Sequence, residues 1–113
     1  MENYKVIKNR TYKNRILCIS AECDLHHIPY TLVPMDDFVN DNYNGGGWQI
    51  RFPWCVGDVA CHKYTYGNMD GYVESYQFPW DEGDVSVLTP EEAADKIVAY
   101  YNELKEKGLL PNQ

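Results

Sequence analysis

Between Ile16 and Asp95 the sequence carries only two cations, Arg51 and Lys63, against fourteen carboxylates. Phosphate backbones demand a basic face, so this span repels nucleic acid and attracts basic partners. Cations are concentrated at the ends, and residues 1–15 hold five of them against one acid. Lys5, Lys8, Arg10, Lys13 and Arg15, interleaved with Tyr4 and Tyr12, could touch phosphate. With the rest of the chain opposing it, no direct nucleic-acid binding is expected, and the basic arm is read as lying against the protein's own acids.

Long apolar runs are also missing. The start, MENYKVIKNR, is polar, and no stretch reaches signal-peptide or membrane-spanning length. The expectation is a cytoplasmic protein without membrane contact, whose four cysteines are reduced thiols. No C-x2-C pair and no glycine loop followed by lysine occurs: NGGGW leads into a strand, not a helix. No cofactor is called for.

What is present suits one domain spanning residues 1–113, with 44% hydrophobic residues and a net charge of −7. Ten tyrosines supply apolar bodies with polar tips, apt for strands and interfaces. Residues 4–22 read as two strands with a tight connection, the β-prone run Ile16-Leu17-Cys18-Ile19 being a covered strand. IPYTLVP is a short or edge strand, since prolines bound it. Residues 35–47, ending in three glycines, read as a mobile loop. GWQIRF, DVACHKYTY, GYVESYQF and DVSVL follow as short strands separated by turn residues.

The C-terminus is a helix over residues 89–108. Thr89 stands at the cap with Pro90 behind it, and Glu92 completes a capping box. Ala93, Ala94, Ile97, Val98, Tyr101 and Leu104 form one apolar stripe, and Gly108 supplies the left-handed exit. One amphipathic helix needs a sheet to cover. The fold class is therefore α+β: an antiparallel hairpin meander of about five to seven short strands, with the C-terminal helix on one face.

One octapeptide occurs twice. FPWCVGDV begins at Phe52 and FPWDEGDV at Phe78, sharing six of eight letters. In each, the proline holds the preceding Phe extended and starts a turn, Gly ends the loop, and Asp-Val opens the next strand. Two related hairpin corners are the expectation, with Phe and Trp packing inward. The variable pair is apolar in the first copy, Cys55-Val56, and acidic in the second, Asp81-Glu82. Trp80 beside Asp81, Glu82 and Asp84 would make an aromatic anchor in a negative patch, the kind of surface that selects a basic partner.

For chemistry, Cys23, His26, His27, Cys61 and His62 can be drawn as a zinc set, although their spacing is irregular. A strand over residues 59–65 would send Cys61 and His62 to opposite faces. Asn40, Asn42, Asn44 and Gly45 imitate half an EF-hand, but Arg51 falls where the bidentate glutamate belongs. No local feature lowers any thiol pKa, and paired carboxylates such as Asp36-Asp37 read as solvated faces, so no catalytic residue is assigned.

The expected function is that of a small acidic, non-enzymatic binding protein. It would meet a basic protein surface, such as that of a nucleic-acid-binding protein, through Trp80, Asp81, Glu82 and Asp84 together with Asp36, Asp37 and Asp41. Glu91, Glu92 and Asp95 could extend that patch. In composition alone it resembles inhibitors from phages and mobile elements that set carboxylates where phosphates would sit. The alternatives are a small zinc-binding or Cys/His-dependent enzyme and a homo-oligomeric structural subunit.

Overall fold

A computed structural model describes residues 10–35, 46–83 and 85–111. It contains helix α1 (Tyr12–Leu25), strands β1 (Thr31–Met35), β2 (Gly47–Arg51), β3 (Asp58–Cys61), β4 (Val73–Tyr76) and β5 (Val85–Leu88), and helix α2 (Pro90–Glu106). The strands form one antiparallel meander in the order β1-β2-β3-β4-β5. The α+β class and the sheet with a C-terminal helix on it are as the sequence predicts. The expected loop at 35–47 falls at residues 36–45 outside the described residues, and its two ends, Met35 and Gly47, are cross-strand partners.

The α2 boundaries follow local chemistry. The Thr89 side chain accepts from the Glu92 N–H at 3.1 Å, and the Glu92 carboxylate accepts from the Thr89 N–H at 3.0 Å. At the far end Gly108 takes φ 67°, and the Leu109 N–H returns to the Leu104 carbonyl at 2.8 Å.

Helix α1 corrects the sequence reading. Where two strands are expected, residues 12–25 form a helix, and Val6-Ile7 lies outside the described residues. Thr11 caps it by accepting from the Asn14 N–H at 3.0 Å. Tyr12, Ile16, Ile19 and Cys23 are buried at helical spacing, while Leu17 and Cys18 of the β-prone run are only half-buried. Tertiary burial of that stripe overrides the β preference of isoleucine.

Both helices touch each other and the sheet, so they lie side by side on one face of it. The core between them holds Ile16, Ile19, Ile50, Val59, Val73, Ala93, Ala94 and Ile97. Arg10 and Glu91 tie the two helix starts together with paired bonds of 2.7 and 3.0 Å. Lys13 stands over the Trp48 ring at 5.0 Å. Some of the N-terminal cations thus meet the chain's own acids and aromatics.

A second correction concerns DVACHKYTY, expected as one strand. β3 stops at Cys61, because Thr65 folds the chain around His62: its hydroxyl donates to the His62 carbonyl at 2.8 Å and accepts from the His62 N–H at 3.3 Å. A short 3-10 turn, Asn68–Asp70, follows. The Arg15 side chain is fully buried and its Nη1 donates to the carbonyls of Asn68 at 2.7 Å and Tyr72 at 3.1 Å.

The repeated octapeptide builds the β2–β3 and β4–β5 connections, which a meander places at the same end of the sheet. There the two corners pack on each other and on α2. Phe52 meets Phe78 at 6.0 Å between centroids, Trp54 meets Tyr101 at 5.0 Å, and Trp80 meets Tyr100 at 5.9 Å. Both Phe side chains and Trp54 are buried. The repeat is one fold corner built twice.

Its two glycines do different work. Gly83 takes φ 87° with open space where a Cβ would stand. Gly57 has no positive φ, but a Cβ there would lie 2.6 Å from the Phe78 ring. Gly57 is the floor on which the other corner's Phe rests. Gly57→Ala is expected to cost about 1–3 kcal/mol by overpacking. Phe78→Leu should recover part of that loss in the double variant, as measured by urea denaturation, and should do nothing for Gly83→Ala.

Candidate functional site

The sheet register decides which side chains face away from the helices. Leu32, Ile50, Val59, Ser75 and Ser86 form one cross-strand row directed at the core. The flanking rows must then point outward: Arg51, Asp58, Tyr76 and Val85 in one, and Val33, Gln49, Ala60, Glu74 and Val87 in the other. The outward face therefore carries two carboxylates, a phenol and an amide in adjacent positions.

A hollow of about 400 Å³ opens on this face, lined by Met35, Gln49, Asp58, His62, Tyr76 and Gln77. Asp58 stands at its centre of interest. Its Oδ1 is buried and accepts no hydrogen bond. Arg51 is its direct cross-strand partner, yet the Arg51 Nε donates to the Gln49 Oε1 at 2.9 Å instead. Burial raises the Asp58 pKa above the usual carboxylate range, with Gln49 and Arg51 opposing and the Asp81 charge adding.

The neighbours reinforce the negative character. Glu74 is only 4% exposed, and the Tyr76 hydroxyl donates to its Oε1 at 2.5 Å. Burial, then Glu74, pushes the Tyr76 pKa up, so the phenol keeps its proton and its oxygen offers lone pairs. His62 Nδ1 accepts the Tyr64 N–H at 3.1 Å, and burial lowers the His62 pKa. Gln77 adopts φ 63°, a left-handed conformation costing about 1 kcal/mol or more for a residue with a side chain. The equivalent residue of the first corner, Arg51, simply continues β2.

A smaller hollow of about 310 Å³ adjoins the first and shares Asp58 as a wall, with Arg51, Phe52, Cys55, Val56 and Gly57. Val56 at the tip of this corner is 78% exposed.

The residues expected at the second corner are placed differently from one another. Trp80 is half-buried, stacked on Phe78 at 4.5 Å, and its indole N–H donates to the Ser75 hydroxyl at 3.1 Å. Lys96 stands over the Trp80 ring at 5.7 Å. The Asp81 carboxylate accepts from the Ser75 hydroxyl at 2.5 Å and the Phe78 N–H at 3.0 Å, closing the turn. Glu82 is exposed. Asp36, Asp37, Asp41 and Asp84 lie outside the described residues, as does the EF-hand-like run of asparagines.

The zinc set is not assembled: among the described residues no group of three or more His, Cys, Asp or Glu side chains could hold a metal. Cys23 and Cys61 point into the core, His26 and His27 are exposed at the end of α1, and His62 faces the outer hollow. All four thiols are held protonated, chiefly by burial, with pKa values pushed up to about 11 for Cys18, about 12 for Cys23 and about 11 for Cys61, and raised for Cys55. Sequence reasoning missed Asp58 and Glu74, whose only visible signal is a carboxylate inside a strand pattern where apolar or neutral residues are the norm.

The chain matches no protein-family model, no curated protein and no solved structure. Among the described residues no helix is long and apolar enough to cross a membrane.

Proposed function

We propose that this protein is a non-enzymatic binding module that engages a basic partner by lodging a cationic side chain in the hollow on the face of its sheet turned away from the two helices. The buried, unpartnered Oδ1 of Asp58 carries this reading. A buried acceptor without a donor is destabilising, and a buried carboxylate more so; a cation in the hollow would relieve both. Glu74 and Asp81 keep the surroundings negative against the single charge of Arg51. The strongly acidic stretch between residues 16 and 95 would steer such a partner toward the protein. A nucleic-acid-binding protein offers a surface of that kind, and a module covering it would act as an inhibitor.

Isothermal titration with a short arginine-rich peptide tests the proposal. Asp58→Asn is expected to weaken binding about tenfold, the loss of a charge-assisted hydrogen bond. Asp70→Asn, which removes the same charge from an exposed turn elsewhere, should change it little. Affinity should fall with added salt. It should also fall on acidification through the raised Asp58 pKa, because protonation removes the charge and turns an acceptor into a donor. Equal losses from Asp58→Asn and Asp70→Asn would reduce the interaction to general acidity and sink the proposal.

A further inference from the structure

We infer that the partner segment is an extended peptide that pairs an arginine, held at Asp58, with an apolar side chain seated against Cys55 and Val56 in the adjoining hollow. This rests on the proposed cation site and adds the identity of its neighbour.

The repeat supplies an internal control. The corner Phe78–Val85 folds with Asp81 and Glu82 at the positions that Cys55 and Val56 occupy in its sister. Asp81 closes its turn and Cys55 packs against the core, but Glu82 is exposed, so the turn makes no demand for an apolar residue at the Val56 position. Yet Val56 is 78% exposed there, on the rim of a hollow of about 310 Å³. An exposed aliphatic side chain where the sister corner carries an exposed carboxylate is explained by an apolar contact outside the fold. Cys55 offers no rival chemistry, since its thiol is held protonated by burial.

The two hollows share one wall, Asp58, so one ligand can fill both. Side chains on one side of an extended peptide recur every second residue, roughly 7 Å apart, a spacing suited to adjoining hollows. Arginine fits the first hollow better than lysine. Asp58 and Tyr76 are direct cross-strand partners, and the Tyr76 hydroxyl is already donating to Glu74. The hollow thus draws two acceptors from neighbouring strands, the Asp58 carboxylate and the Tyr76 oxygen. A planar guanidinium can bridge such a pair with its fork of donors, whereas an ammonium meets them as a point charge. Arg51 bounds the groove on the same row and disfavours a second cation beside the first. That leaves the neighbouring position to a neutral side chain.

Four N-acetylated tripeptide amides test this by amide chemical-shift titration: Arg-Gly-Leu, Leu-Gly-Arg, Arg-Gly-Gly and Lys-Gly-Leu. One of the two leucine–arginine orders should bind about fivefold to tenfold tighter than Arg-Gly-Gly, the gain from burying part of a leucine. It should move the amides of Val56 and Gly57 as well as that of Asp58. Val56→Ser, at an exposed position, should remove the leucine gain and leave Arg-Gly-Gly binding unchanged. Lys-Gly-Leu should bind more weakly than its arginine counterpart. If all arginine peptides bind equally and Val56 and Gly57 stay still, the inference falls while the cation site stands. If none of them shifts Asp58, or Asp58→Asn binds them all as well as wild type does, the cation site itself falls.

Discussion

Replacing Arg15 by Ala is expected to lower stability by about 3–5 kcal/mol, the range for breaking a buried, fully bonded charge. The guanidinium is 0% exposed and serves three segments at once. Its Nε donates to the Arg10 carbonyl at 3.0 Å, and its Nη1 donates to Asn68 and Tyr72 carbonyls at 2.7 and 3.1 Å. The same Nη1 lies 3.5 Å from the Cys61 Sγ, and the guanidinium sits over the Tyr12 ring at 5.2 Å. Removing it takes a donor from each of three part-buried carbonyls and opens a cavity beside Cys61. Arg15→Met separates these costs, because it fills much of the volume while donating nothing. It should still lose more than half of the effect. Arg15→Lys should fall between wild type and Met, since a point donor cannot reproduce the fork. Urea denaturation followed by circular dichroism measures all three. Amide exchange should show early loss of protection in residues 62–72, the segment Arg15 pins to α1. A loss under 1 kcal/mol for Arg15→Ala would mean that the carbonyls find water instead.

Arg15 also explains why α1 was hard to read. Its stripe of Tyr12, Ile16, Ile19 and Cys23 recurs at helical spacing behind a Thr cap, so a signal existed. The arginine on that stripe breaks its apolar character, and the four-residue run Ile16-Leu17-Cys18-Ile19 imitates a covered strand. Helix α2 was legible because everything that defines it is local: a capping box, a proline, an apolar stripe and a glycine exit. The strands were legible from their punctuation, and Pro34 marks β1 as an edge, where the sheet places it. The end of β3 was not, since it depends on Thr65 bonding back to His62 and on Arg15 reaching across from another element.

The candidate site was less legible than the fold for a related reason. Met35, Gln49, Asp58 and Tyr76 come from four different strands, and only the register brings them to one hollow. Asp58 reads in the sequence as the opening residue of a strand after a turn, identical in the repeat to Asp84. What distinguishes it is that Arg51 across from it bonds Gln49, a choice of rotamer and not of residue type. The acidic corner, conspicuous in sequence, uses much of its chemistry internally: Asp81 closes its turn and Trp80 bonds Ser75. The corner with the bland tip, Cys55-Val56, is the one beside a carboxylate with an unbonded buried oxygen.

That division of labour leads to the last expected result. Trp54→Ala should cost about 3–5 kcal/mol, the range for deleting a buried aromatic, and Trp80→Ala clearly less. The two tryptophans hold equivalent positions in the repeat, yet Trp54 is 7% exposed and Trp80 is half-buried. Trp54 meets Phe52 at 5.2 Å, Tyr100 at 5.8 Å and Tyr101 at 5.0 Å, so it joins the first corner to α2. Its indole N–H donates to the Pro29 carbonyl at 2.9 Å, which ties in the segment between α1 and β1. Trp54→Phe keeps most of the ring contact and loses that bond, and should cost about 1–2 kcal/mol. Trp80 loses Phe78 stacking and the Ser75 bond, but Asp81 still holds Ser75 in place. Urea midpoints of the three variants give the ranking, and the near-ultraviolet dichroism of Trp54→Ala should collapse toward the unfolded spectrum at lower denaturant than the others. If Trp80→Ala proved the more damaging, the core would be centred on the second corner. The exposed tip of the first would then lose its standing as the side of the repeat left free for a partner.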